Sequence, residues 1–127
     1  MRTNVSSGSY LEPIIGFSRA VRVGNHVCVA GTAPIGVDGK TVGGDVYSQA
    51  VRCLEIIKAA LEDAGASMND VVKTRILLTG MADFDQAAKA HGEVFDNIRP
   101  ACTTMRVVGF IDPDWLVEFE AEAIIPK

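Results

Sequence analysis

The chain has 127 residues, 48% hydrophobic and 22% charged, the balance of one globular domain (residues 1–127) with enough apolar material for a core. Its formal net charge of -4 argues against a nucleic-acid partner bound through phosphates, which needs a clustered basic surface, whereas the twelve Lys and Arg residues are scattered. No apolar run approaches the length of a membrane span and residues 1–10 lack the apolar core of a signal peptide, so a cytoplasmic location without membrane contact is expected.

Two short strands are predicted first, over residues 20–23 and 26–30, joined at Gly24-Asn25, a dipeptide suited to a tight hairpin turn. Val27 and Val29 alternate with Cys28 and Ala30, so both faces of the second strand read as buried. The glycines that follow, Gly36, Gly39, Gly43 and Gly44, are turn chemistry and lack the spacing of a phosphate-cradling loop. Asp45 is placed to cap a helix to about Ala64, whose stripe of Val46, Ala50, Cys53, Leu54, Ile57, Ala60 and Leu61 makes Cys53 a small core residue. A strand over residues 71–78 is expected to turn Val72, Thr74, Ile76 and Leu78 one way and Lys73, Arg75 and Leu77 the other.

A second helix is predicted over residues 83–96, with Phe84, Ala87, Ala88, His91, Val94, Phe95 and Ile98 as its apolar stripe, so His91 reads as a packing residue. Arg99-Pro100 ends it, because proline disfavours the α conformation in the residue before it. A strand over residues 101–108, a turn through Asp112-Pro113-Asp114 and a final strand over residues 116–125 complete the chain. In that last strand Glu118, Glu120 and Glu122 share one face, and Val117, Phe119, Ala121 and Ala123 share the other. Carboxylates two residues apart repel, so the acidic face must meet water, basic partners or a shared proton.

The order β-β-α-β-α-β-β is that of an α+β domain with two helices on one face of a mixed sheet. Nothing in the chain remains to cover the other face, which is expected to expose an apolar patch, so self-association is expected. Three cysteines, Cys28, Cys53 and Cys102, at wide spacings fit reduced thiols, and with His26 and His91 isolated no metal site or cofactor is expected.

Val23-Gly24-Asn25, Ala30-Gly31-Thr32-Ala33-Pro34, the helix bearing Gln49, Val71-Val72-Lys73-Thr74, Asp83-Phe84, Pro100-Ala101 and Val117-Glu118-Phe119-Glu120-Ala121 occur in an order and spacing that resemble the reactive intermediate deaminase family, also called YjgF-like or L-PSP proteins. The resemblance runs nearly end to end. It implies a chorismate-mutase-like homotrimer with small-molecule clefts between subunits, and hydrolysis of small enamines and imines to a carbonyl product and ammonia. It also implies a cleft lined here by Phe17, Ala30, Gly31, Ala88, Cys102 and Thr104, with Glu118 handling the proton or the water. The arginine that clamps the substrate carboxylate in the family follows the Pro-Ala pair, where this chain has Cys102. Phe17, Ala30 and Ala88 likewise stand where the family has tyrosine, serine and asparagine, and Thr104 where it has cysteine.

Arg106, Arg99 and Arg19 are the candidates to replace the clamp, and strand parity with Cys102 and Thr104 favours Arg106. A variant deaminase with a less polar substrate is therefore expected, the alternative being a non-catalytic small-metabolite-binding or interaction protein on the same scaffold. The acidic balance weighs against a ribonuclease.

Overall fold

The computed structural model describes residues 1–127. Six strands form one sheet in the order β1-β2-β3-β6-β4-β5: β1 (Arg2–Val5), β2 (Ala20–Val23), β3 (His26–Thr32), β4 (Val71–Thr79), β5 (Ala101–Val107) and β6 (Val117–Ile124). All neighbours are antiparallel except β4 and β5, which run parallel and are connected through a helix, as a parallel pair requires. The helices are α1 (Leu11–Ile15), α2 (Val46–Asp63) and α3 (Phe84–Phe95). The α+β class holds, and the N-terminal segment adds a strand and a short helix to the seven elements read from the sequence.

Local chemistry sets the boundaries. Gly24, at φ +62°, supplies the positive φ at the first position of the β2–β3 turn. The carboxylate of Asp45 accepts from the Ser48 amide at 2.6 Å at the start of α2, and that of Asp83 accepts from the Asp85 and Gln86 amides at the start of α3. Before Pro100, Arg99 takes φ 58° and its guanidinium folds back onto the Asp96 carbonyl (2.7 Å) and carboxylate (3.0 Å), a cation at a helix C-terminus.

The core lies between the sheet and α2 and α3, where Phe119, Ile57, Leu61, Phe95, Leu78 and Val117 are buried. Each such side chain contributes roughly 1.5–3 kcal/mol through removal from water. Cys53 is fully buried, and burial pushes its thiol well above the ordinary range. His91 is half-buried, bonded to the Thr74 hydroxyl at 2.8 Å and packed against the Phe95 ring at 4.6 Å, which is the packing role its position predicts.

Four expectations need correction. The register of β4 against β6 shifts between Val71 and Lys73, so Val71 joins Thr74, Ile76 and Leu78 in the core and Val72 is 44% exposed. On α3 the buried residues are Ala87, Ala90 and Phe95, while Ala88 is only partly buried and Phe84 is 42% exposed. On β3 only Val27, Val29 and Thr32 are buried, and His26 and Cys28 face out, so one face of this strand is uncovered in the protomer. The uncovered sheet face is not an apolar patch: Glu118, Glu120 and Glu122 lie there with Arg75 and Lys73, interleaved with apolar Leu77 and Met105.

Candidate active site

The site is built at an irregularity in β3. Val29 pairs with Ala121 and Thr32 with Phe119, three residues against two, so one extra residue is accommodated at Ala30-Gly31. This bulge returns Thr32 to the core side and brings Gly31 against the acidic face of β6. A Cβ built on Gly31 would stand 3.1 Å from Oε1 of Glu118, so glycine leaves the room that this carboxylate occupies.

The three glutamates of β6 are chemically unequal. Glu120 is paired with Arg75 at 2.8 Å, and Glu122 lies 3.6 Å from His26. Glu118 has neither an ion pair nor a hydrogen bond. Burial pushes its carboxyl up to about 7, the positive charge of Arg19 opposes the rise, and the negative charge of Glu120 adds to it. A carboxyl half-protonated at neutral pH can both accept and return a proton.

Glu118 lines a cavity of about 810 Å³ bounded by residues 6–11, α1, the β3–α2 loop, one flank of α2 and Trp115. Phe17, Arg19 and Gly31 line it as well. The Phe17 ring lies under the Arg19 guanidinium, 5.2 Å from its centroid. Arg19 is 6% exposed and ties the bulge in place: Nη1 donates to the Gly31 carbonyl at 2.7 Å and to the Thr32 hydroxyl at 3.2 Å, and Nε donates to the Ser7 hydroxyl at 3.0 Å. Ala30 opens instead on a smaller hollow of about 310 Å³ on the charged sheet face, with Cys28, Lys73, Arg75 and Glu120. Cys28 has its thiol raised by burial and by Glu122, and its sulfur lies 3.7 Å from His26.

The remaining residues that the resemblance implies do not meet Glu118 within one chain. Cys102, Thr104 and Arg106 pair in register with Thr74, Ile76 and Leu78, so they stand on the helix-side face, the face opposite Glu118, at the exposed edge strand β5. Cys102 and Thr104 are adjacent, sulfur to oxygen 4.0 Å. Nη1 of Arg106 donates to the Gly80 and Ala82 carbonyls, at 2.8 and 2.9 Å, where it braces the turn before α3 and holds the side chain away from Glu118. Arg99 is committed to Asp96, and Ala88 sits on α3 outside both cavities. Arg19 is the one of the three candidate arginines that lines the same cavity as Glu118. Its position had no signal in local sequence, because its partners are brought in by the β1–α1 segment and the bulge.

Comparison with known proteins agrees with this architecture. The family model described as Endoribonuclease L-PSP matches residues 8–125. The chain belongs to the L-PSP family. An L-PSP relative, a RutC family protein of Pyrococcus abyssi, is 42% identical over 113 residues, 88% of each chain. The 3-aminoacrylate deaminase RutC of Acinetobacter baylyi is 33% identical over 112 residues, 87% of this chain and 88% of that one. A crystal structure of a YjgF/YER057c/UK114 family member from Mycobacterium tuberculosis superposes with a TM-score of 0.90 at 41% identity, covering 98% of this chain and all of that one. The L-PSP fold is thus the mixed sheet with its helices on one face, as described above.

Proposed function

We propose that the protein is a variant imine or enamine deaminase that converts a C=N substrate to a carbonyl product and ammonia, with Glu118 as its catalytic acid and base. The observation that carries this reading is a carboxyl held near 7 and free of hydrogen bonds, in a largely apolar cavity, beside a glycine that leaves it space. A relative that covers most of the chain and is named a deaminase supports the same class.

The chemistry asks little more. With the substrate as the protonated imine, Glu118 as carboxylate takes a proton from water while the water oxygen bonds to the electrophilic carbon and the C=N electron pair moves to the iminium nitrogen, giving a neutral carbinolamine. Glu118 gives that proton to the amino nitrogen, then takes the hydroxyl proton as the C–N bond breaks, so that ammonia leaves, a carbonyl remains and the last proton passes to solvent. Positioning supplies much of the rate and proton transfer the rest. No resident metal or cofactor is needed for either step.

In this reading the functional unit is a homotrimer with clefts between its subunits, in which the β5 edge of one copy approaches the Glu118 cavity of the next. That arrangement brings Cys102 and Thr104 to a glutamate that lies on the other face of their own sheet. Light scattering is expected to give three times the 13.5 kDa chain mass, and a monomer would remove the cleft. The cellular setting is cytoplasmic, consistent with three unpaired cysteines.

Phe17, Ala30, Ala88 and Cys102 offer no amide, phenol or guanidinium, so the substrate is larger or less polar than aminoacrylate. Purified protein is expected to speed ammonia release from unstable imines generated in situ by oxidation of apolar amino acids. No acceleration over buffer across such a panel would leave the second reading, a binding protein for a small metabolite, favoured by that same loss of polar groups. Cys102→Arg is expected to confer a measurable rate with 2-aminoacrylate, at least about tenfold above the parent, since a charge-assisted clamp is worth roughly 1.5–3 kcal/mol. An unchanged rate would show that position 102 is not where this protein lacks a carboxylate clamp.

A further inference from the structure

The Arg19 guanidinium has donors to spare. Nε and Nη1 are occupied by Ser7, Gly31 and Thr32, while Nη2 donates to nothing in the protein. No buried side-chain nitrogen or oxygen lacks a partner, so Nη2 is not sealed in the interior and meets the cavity that Arg19 lines. The side chain is nine-tenths buried and makes no direct ion pair; the negative charges of Glu12 and Glu118 reach it only from beyond salt-bridge distance, and burial of a cation without a contacting partner is costly. The other arginine on the cavity wall, Arg52, is already engaged with Glu55 at 3.4 Å and with the Ile35 carbonyl at 2.7 Å. Leu11, Ile15, Ile35, Val37 and Ile111 form an apolar part of the same cavity wall.

We propose that Arg19 receives the substrate carboxylate through its free Nη2 donors, and that the substrate is a 2-imino acid with a branched or aromatic side chain lying along that apolar wall. This rests on the deaminase reading of the same cavity and makes it specific. The clamp is thereby moved from the β5 edge to the bend just before β2, so a single chain holds both the cation and the acid. Charge-assisted bonds to a guanidinium fix the carboxylate end, and a cavity of about 810 Å³ leaves a three-carbon substrate with most of its volume unfilled.

Isothermal calorimetry with stable 2-oxo acids, the product class, tests the assignment without requiring turnover. The full chain is expected to bind 4-methyl-2-oxopentanoate at least about tenfold more tightly than either pyruvate or methyl 4-methyl-2-oxopentanoate, the uncharged ester. Arg19→Met is expected to remove that preference for acid over ester, and Arg19→Lys to keep part of it. Because Arg19 also braces the bulge, the acid-to-ester ratio of the unaltered protein stands as a test needing no variant. Equal affinity for acid and ester, tighter binding of pyruvate, no binding of any probe, or an unchanged ratio in a folded Arg19→Met protein would overturn the proposal. Arg19-dependent binding without ammonia release from the matching imine would support this carboxylate site while defeating the deaminase reading.

Discussion

Glu118→Gln is expected to lower ammonia release by about 10²–10⁴-fold, the usual contribution of a positioned proton-transfer group, with substrate affinity little changed. The amide fills the same space beside Gly31 and cannot carry the proton. In the unaltered protein, the rate of the water-attack step should rise with pH through about 7, as the carboxyl pushed to that value ionises. The same group bears on stability. Its folded pKa lies above the ordinary 4.5, so the contribution is fully present below about 4.5 and is lost as pH rises through about 7. Glu118→Gln should therefore be more stable than the parent at pH 8, on the order of 1–2 kcal/mol after allowing for solvent screening, and no more stable at pH 4. Thermal unfolding at the two pH values checks the sign, and ammonia release checks the rate.

Gln49→Met is expected to destabilise the fold by about 2–4 kcal/mol, a large effect for a change that nearly conserves volume. Gln49 is 2% exposed on α2 and its amide joins three backbone groups: Nε2 donates to the Val42 carbonyl at 3.1 Å and the Asp114 carbonyl at 2.9 Å, and Oε1 accepts from the Leu116 amide at 2.8 Å. A thioether can repay none of these, so three backbone groups lose their partner together. The segment they hold carries Trp115, whose ring nitrogen donates to the Thr41 hydroxyl at 3.0 Å and whose side chain forms part of the cavity wall. Denaturant unfolding should show a lower midpoint at unchanged slope, and the folded fraction should bind 2-oxo acids more weakly.

What the sequence discloses is mostly what local chemistry decides. Alternation along β6 puts the glutamates on one face and the apolar residues in the core, Asp45 and Asp83 cap their helices, and His91 packs where its stripe places it. The misses share a different cause. The strand β1 is exposed over Arg2, Thr3 and Asn4 and exists because β2 offers it an edge, so neither period nor composition marks it. The shift near Val72 and the bulge at Ala30-Gly31 are decided by pairing with β6, which no window of β4 or β3 contains.

The arginines show the same limit most sharply. Parity along β5 correctly placed Arg106 with Cys102 and Thr104, yet the direction of its side chain is set by two carbonyls in the turn before α3. Parity also could not reveal that this face of β5 is the one opposite Glu118. Arg19, by contrast, reaches the cavity because Ser7, Gly31 and Thr32 converge on it from 12 and 13 positions away. Glu118 was legible from periodicity only as a member of an acidic row and was singled out by the family resemblance, while its physical difference from Glu120 and Glu122 lies in which of the three finds a cation.

The claim on which the rest depends is that Glu118 is a carboxyl poised near neutrality. Carbon-13 NMR of the glutamate side-chain carboxyls, followed from pH 3 to pH 10 with Glu118→Gln to assign the signal, measures this directly. One carboxyl should titrate with a midpoint near 7 and vanish in the variant. A Glu118 midpoint at the ordinary value of 4.5 would contradict the account.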